Sequence, residues 1–150
     1  MYRKKAVILR KILKGTTMET PNMQTTMSVK DGRLVYASME LYSFVENGIR
    51  IVYCPSLDLS AAGNTLTEAQ REFEQIFKMH IEDCLENGTL RDDLLSHGWK
   101  QKQSTLNAPK ATDVLARNPM LRDIMNNRNY RKDTRSIVMP RNASRIFATA

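Results

Sequence analysis

One helix signal constrains this chain more than any other. Thr65 and Glu68 stand in the Ser/Thr-x-x-Glu relation of a capping box, in which the hydroxyl accepts from the residue-68 amide and the carboxylate reaches back to the residue-65 amide. Behind them Leu66, Ala69, Phe73, Ile76, Phe77, His80, Ile81, Cys84 and Leu85 recur on one face at helical spacing. Gly88 follows Asn87 where a left-handed C-terminal cap is wanted. The pattern predicts a helix over Thr65–Asn87. A stripe that wide has to be covered by another layer, so the question becomes what the flanking sequence offers it.

Upstream, Leu34 to Glu46 reads as a strand with Val35, Ala37, Met39, Leu41 and Val45 on one side, interrupted by Ser43. Tyr36, Ser38, Glu40, Tyr42 and Phe44 fall on the other. Asn47-Gly48 is the dipeptide favoured by a two-residue type I′ hairpin, which needs positive φ at both positions. Ile49 to Cys54 returns antiparallel, and Pro55 cannot donate to the ladder, so pairing stops there. Leu57, Leu59 and Ala61 alternate, predicting a short third strand before Gly63. Downstream, Thr89 to Leu95 predicts a short helix ending near Gly98, and Trp99–Gln103 an edge strand. The expected fold class is α+β: a small antiparallel sheet packed on one long helix through Phe73, Ile76, Phe77 and Ile81, followed by a helical and extended C-terminal tail.

Charge divides the chain into three. Residues 1–26 carry six basic groups against one acid (+5), residues 27–103 eight against twelve (−4), and residues 104–150 nine against three (+6). Segment 1–26 lacks periodicity and is expected to be disordered; 27–103 is the expected folded domain; 104–150 is read as a basic extension. Within the extension, Pro109 and its Ser/Thr/Asn neighbours mark a linker, Asp113–Arg117 predicts one helical turn, and Asn118-Pro119 reads as an N-cap with proline at N1, opening Met120–Asn127. Arg135–Met139 predicts a last strand. Separated from the domain by about thirty residues, it is expected to pair with a neighbouring subunit in a homo-oligomer, since open sheet edges invite pairing; the alternative is that the tail folds back on its own subunit or stays disordered. The N-terminal apolar run Ala6–Leu9 is far too short for a membrane span or a signal-peptide core, so a cytoplasmic location is expected and no membrane contact.

The chemistry-bearing residues are sparse. There is no G-x-x-x-x-G-K, H-E-x-x-H or G-x-S-x-G sequence. His80 lies on the apolar side of the long helix, His97 beside a glycine at a helix end, and both read as structural. Asp58 reads as a turn-stabilising or solvent-facing group. Cys54 and Cys84 read as buried small hydrophobes; His80 and Cys84 alone stand at metal-ligand spacing, too few for a site, so no metal, cofactor or catalytic residue is expected.

Tyr53, Pro55, Leu57 and Asp58, followed in register by Gly63, Thr65, Glu68 and Ala69, resemble the HicB family of antitoxins. That family's pattern is an aromatic-x-Pro-x-Leu strand end and then Gly-x-Thr-x-x-Glu-Ala opening a helix. The likeness covers about residues 34–102. It implies a β-β-β-α-β unit described as a partial ribonuclease H-like fold without its catalytic carboxylates. It also implies a HicA-like small toxin protein as partner, whose RNA cleavage the antitoxin blocks, together with oligomerisation and repression of the protein's own operon. Operator DNA is usually held by a C-terminal helix-turn-helix or ribbon-helix-helix, and residues 104–150 show no pair of well-capped helices joined by a glycine turn. The expected function is therefore that of an antitoxin-like protein-binding module. The alternative is a nucleic-acid-binding protein without a toxin, making its contacts through Lys4, Lys5, Arg10, Lys11, Arg128, Arg131, Lys132 and Arg135.

Overall fold

The computed structural model describes residues 25–30, 34–103, 105–140 and 143. In chain order the elements are β1 (Thr26–Lys30), β2 (Leu34–Glu46), β3 (Ile49–Cys54), β4 (Leu59–Gly63), α1 (Leu66–Glu86), α2 (Leu90–Ser96), β5 (Lys100–Lys102), β6 (Thr105–Asn107), α3 (Ala111–Arg117), α4 (Pro119–Asn127) and β7 (Arg131–Val138). The fold class is α+β. Among the described residues, four helices accompany one seven-stranded sheet in which every pairing is antiparallel.

The long strand β2 organises this sheet. Residues Leu34–Ser38 pair with β1, Tyr42–Glu46 with β3, and Tyr36–Ser43 with β7. Because β7 shares residues with both other pairings and a strand has two edges, β1 and β3 lie in tandem on one edge while β7 fills the other. The gap between β1 and β3 is bridged by a side chain: the Glu40 amide donates to Thr25 Oγ1 at 2.9 Å. Thr25 also accepts from Ala108 through its carbonyl, tying β6 to the same point.

The helix signal is realised. Thr65 Oγ1 accepts from the Glu68 amide at 3.1 Å, and Ala69, Phe73, Phe77, Ile81 and Cys84 are buried, with Ile76 packed at the margin. The face of the sheet under α1 contributes Ala37, Met39, Leu41, Val52 and Ala61, and Trp99, Leu106 and Ile137 complete this core. The hairpin turn also forms as expected, with Asn47 and Gly48 at φ 52° and 81°.

The sheet is larger than the three or four strands expected. Strand β1 begins at the last residue of the segment read as disordered and otherwise lies in the expected domain, where no strand was assigned to it, while β6 and β7 come from the linker and the tail. Thr25 and Met27 are buried, so the expected unstructured segment 1–26 runs two residues into the fold; residues 1–24 lie outside the described residues. The edge strand expected over Trp99–Gln103 covers only Lys100–Lys102, because Gln103 adopts φ 56° and turns the chain back into β6. The third strand starts at Leu59 rather than Leu57, since Asp58 sits at φ 55° and closes the Pro55–Asp58 turn. Leu57 is nevertheless buried, tucked beneath that turn.

The tail takes the folded-back alternative. Strand β7, expected to pair with a neighbouring subunit, lies against β2 of its own chain from Tyr36↔Val138 to Ser43↔Arg131. The intervening α3 and α4 bring it there by crossing the second face of the sheet. Val114, Leu121, Ile124 and Tyr130 cover Tyr42, Phe44 and Tyr53, forming a second core. The domain boundary drawn at residue 103 therefore separates segments that share one sheet.

Candidate functional site

The eight residues of the aromatic-proline and glycine-threonine motif divide into two groups with different jobs. Gly63, Thr65, Glu68 and Ala69 make the strand-to-helix junction. A Cβ on Gly63 would sit 2.5 Å from the Ala69 amide nitrogen and 2.9 Å from Glu68, so only glycine lets the end of β4 abut the first turn of α1. Ala69 is fully buried at that contact. Leu57 belongs with this group as a core residue.

Tyr53, Pro55 and Asp58 do something else. Tyr53 comes from the end of β3, and its hydroxyl donates to Asp58 Oδ1 at 2.7 Å. The same hydroxyl oxygen accepts from Asn118 Nδ2 at 2.9 Å. Burial pushes the Tyr53 phenol well above its ordinary range; the Asn118 hydrogen bond opposes this and Asp58 adds to it, so the phenol stays protonated and keeps donating. Asn118 is itself fixed, because its Oδ1 accepts from the Leu121 amide at 3.0 Å as the N-cap of α4. From below, the Trp99 indole donates to the Ser56 carbonyl at 2.9 Å and pins the turn. A groove opens over this network, bordered by Pro55, Asp58, His97, Arg117, Pro119 and Met120. Met120 is 51% exposed there, an apolar group presented to solvent.

Ser96 and His97 also border the groove, but both are engaged at the end of α2. Ser96 Oγ donates to the Asp93 carbonyl at 2.6 Å, and His97 Nδ1 lies 2.8 Å from the same oxygen. They satisfy a helix-end carbonyl, as residues in the last turn often do.

The basic residues singled out for nucleic-acid contact do not form an open cationic surface in the part described. Arg128 meets Glu46 at 2.6 Å and Asp123 at 3.1 Å, and its guanidinium lies over the Phe44 ring. Lys132 meets the buried Glu40, and Arg135 meets Glu74 of α1 at 2.5 Å. Arg131, the most exposed of the four, pairs with Asp133 on its own strand. Lys4, Lys5, Arg10 and Lys11 lie outside the described residues.

Cys54 is fully buried, and burial pushes its thiol up to about 12, which removes it from thiolate chemistry near neutrality. Cys84 is different. His80 Nε2 lies 3.8 Å from Cys84 Sγ and 3.2 Å from Asp93 Oδ2, so the pair at metal-ligand spacing on α1 gains a third ligand-type group from α2. Sequence spacing showed the first two, since they are one helical turn apart. Asp93 is nine residues beyond Cys84 and across a turn, and nothing in the sequence marks it. Asn118 was legible as a cap but not as a partner of Tyr53, 65 residues away.

No helix among the described residues is long and apolar enough to cross a membrane. The chain matches no protein-family model, no curated protein and no solved structure.

Proposed function

We propose that the protein is an antitoxin-like binding module that captures a small basic protein of the HicA ribonuclease type. One observation carries the choice of protein over nucleic acid: the four C-terminal cations singled out for a polyanion, Arg128, Arg131, Lys132 and Arg135, are each engaged by an acid of the same chain, which leaves Lys110, Arg117 and Arg122 as the exposed cations of the described extension. On the outer face of α1 the exposed acids outnumber the exposed bases, Arg71 and Lys78. Glu72, Glu82, Asp83 and Glu86 are exposed on it, and Met79 stands 67% exposed among them. A ribonuclease must present cations to bind its RNA, and such a surface complements an acidic one through both encounter rate and specificity. The exposed Met79 offers an adaptable apolar contact at the centre.

The finer parts of the reading rest on the motif resemblance. The run β2–β3–β4–α1 supplies the β-β-β-α order of the partial ribonuclease H-like arrangement, and the Tyr53–Asp58–Asn118 network holds the motif turn rigid. A cytoplasmic location, self-association and repression of its own operon belong to the same proposal, in which the protein acts by binding and not by catalysis.

A HicA-type gene is expected beside this one, and its absence would count against the proposal; the test is an RNA-cleavage assay with its product. The full chain is expected to suppress cleavage at equimolar ratio, with binding that weakens as salt rises. Glu82→Lys with Glu86→Lys is expected to weaken binding at least tenfold. Unimpaired cleavage at excess protein overturns the proposal, as does salt-sensitive binding of DNA or RNA in place of the toxin.

A further inference from the structure

We infer that His80, Cys84 and Asp93 form a zinc site that ties α1 to α2. His80 and Cys84 stand four residues apart on α1, and Asp93 comes from the first turn of α2. The reasoning starts from which atom the other two approach. A thiol–imidazole–carboxylate relay needs the thiol on one ring nitrogen and the carboxylate on the other. Here Cys84 Sγ and Asp93 Oδ2 both approach His80 Nε2, at 3.8 and 3.2 Å. Three donors facing one common point cannot relay a proton along a line, but they can share an ion.

The distances fit a tetrahedral ion. With zinc–nitrogen and zinc–oxygen bonds of about 2.0–2.1 Å and a zinc–sulfur bond of about 2.3 Å, adjacent ligands lie about 3.3 Å (N to O) and about 3.6 Å (N to S) apart. Two edges of such a tetrahedron are thus met within a few tenths of an ångström. The third, from Cys84 to Asp93, lies within 4.8 Å and closes with a small side-chain rotation. The donor set of one thiolate, one imidazole and one carboxylate suits zinc, which accepts all three, over a hard ion that takes oxygen alone.

The surroundings hold the donors in place. The Thr89 amide donates to the Cys84 carbonyl at 2.8 Å and fixes the turn between the helices. His97 Nδ1 lies 2.8 Å from the Asp93 carbonyl, supporting that residue from behind. Side chains of His80 and Asp93 are 27% and 24% exposed, so an ion has an entry path and a fourth position open to water. Cys84 is buried and its thiol is pushed up by desolvation; coordination offsets this, because zinc binds the thiolate and releases the proton. The bound ion fixes α2, whose far end borders the groove over Asp58. This inference is independent of the toxin proposal, since metal binding is measured on the protein alone.

The experiment uses cobalt(II) as a spectroscopic stand-in on the full chain, freed of any histidine tag. One equivalent is expected to give a cobalt–thiolate charge-transfer band with the intense visible bands of tetrahedral geometry, and zinc is expected to displace it. Cys84→Ser is expected to abolish the charge-transfer band. Asp93→Asn is expected to weaken zinc binding by at least about tenfold, since losing even an outer-shell partner costs that much. No charge-transfer band in the native protein overturns the inference, and this reading does not depend on any variant folding. A band that survives Cys84→Ser, undiminished zinc affinity in Asp93→Asn, or cobalt that zinc fails to displace also overturns it.

Discussion

The two faces of the sheet are covered by different kinds of structure. On one, α1 presents a single 21-residue stripe that buries Phe73, Phe77 and Ile81 completely against Ala37, Met39 and Leu41. On the other, two short helices of seven and nine residues close over Tyr42, Phe44 and Tyr53. The first face is apolar and carries no tyrosine: aliphatic and phenyl groups with methionines, cysteines and Trp99. The second is built around tyrosines, with the Tyr42 hydroxyl donating to Glu40 and the Tyr42 and Tyr130 rings 5.7 Å apart. Apolar burial supplies stabilisation in proportion to area and tolerates little polarity. Buried hydroxyls instead demand specific partners, which fix how the tail docks. The α1 face therefore supplies the larger apolar core, and the tail face supplies register and carries the candidate groove.

The strongest way to break this comparison is to open each core in turn. Phe77→Ala is expected to cost about 3–5 kcal/mol, and Leu121→Ala about 2–5 kcal/mol, because both side chains are fully buried. Since both cores rest on the same strands β2 and β3, each variant is expected to unfold in one transition. Far-ultraviolet dichroism and the fluorescence of Trp99, which lies in the α1-side core, should then coincide. Two separated transitions in Leu121→Ala would show that the tail face is an independent unit.

A narrower test concerns the junction that sets α1 on the sheet. Gly63→Ala is expected to cost about 1–3 kcal/mol, since the added Cβ meets backbone and not the end of a flexible side chain. A melting curve unchanged by this substitution would mean that the start of α1 moves freely away from β4.

How much of each face was legible follows from the same difference. The α1 stripe is long, capped and periodic, so its helix and the residues it buries could be read directly. On the second face α3 and α4 could be read as short helices, but not where they dock, because their partners lie far earlier in the chain. One sign was present: Tyr42 and Phe44 are large groups on the side of β2 opposite the one expected to meet the long helix, and such a side needs a cover. Strand β6, of three residues, falls below what a pattern of alternation can mark, and β1 offers only Met27 and Val29 as alternating apolar residues. At the candidate site the motif turn was legible, but Asn118 and Asp93 reach it or its neighbour only through the fold.

On the tail face, Asn118 separates capping from docking. Asn118→Ala removes both the bond from Leu121 and the bond to Tyr53, and is expected to cost about 1–2 kcal/mol. Asn118→Asp keeps an oxygen for the cap but loses the donor to Tyr53. The deficit that remains in the aspartate variant, expected at about 0.5–1.5 kcal/mol in denaturant melts, measures the docking bond. Equal stability of wild type and Asn118→Asp would remove that bond from the account.

The smallest expected effect lies at Ser43, where the α1 face departs from its own rule. Ser43 interrupts the apolar side of β2; it is 5% exposed, and its hydroxyl has no hydrogen-bond partner among the described residues. On the tyrosine-bearing face, by contrast, the hydroxyls of Tyr42 and Tyr53 find acceptors in Glu40 and Asp58. A buried hydroxyl without a partner keeps its desolvation cost and gains nothing in return. Ser43→Ala removes the oxygen and leaves the Cβ in place, so it is expected to stabilise the protein by about 0.5–1 kcal/mol. The change should appear as a higher denaturation midpoint at unchanged slope, the signature of altered stability without an altered unfolded state. A lower midpoint would mean that the hydroxyl is satisfied by an ordered water. The α1 face would then carry a polar device of the kind assigned here to the other face alone.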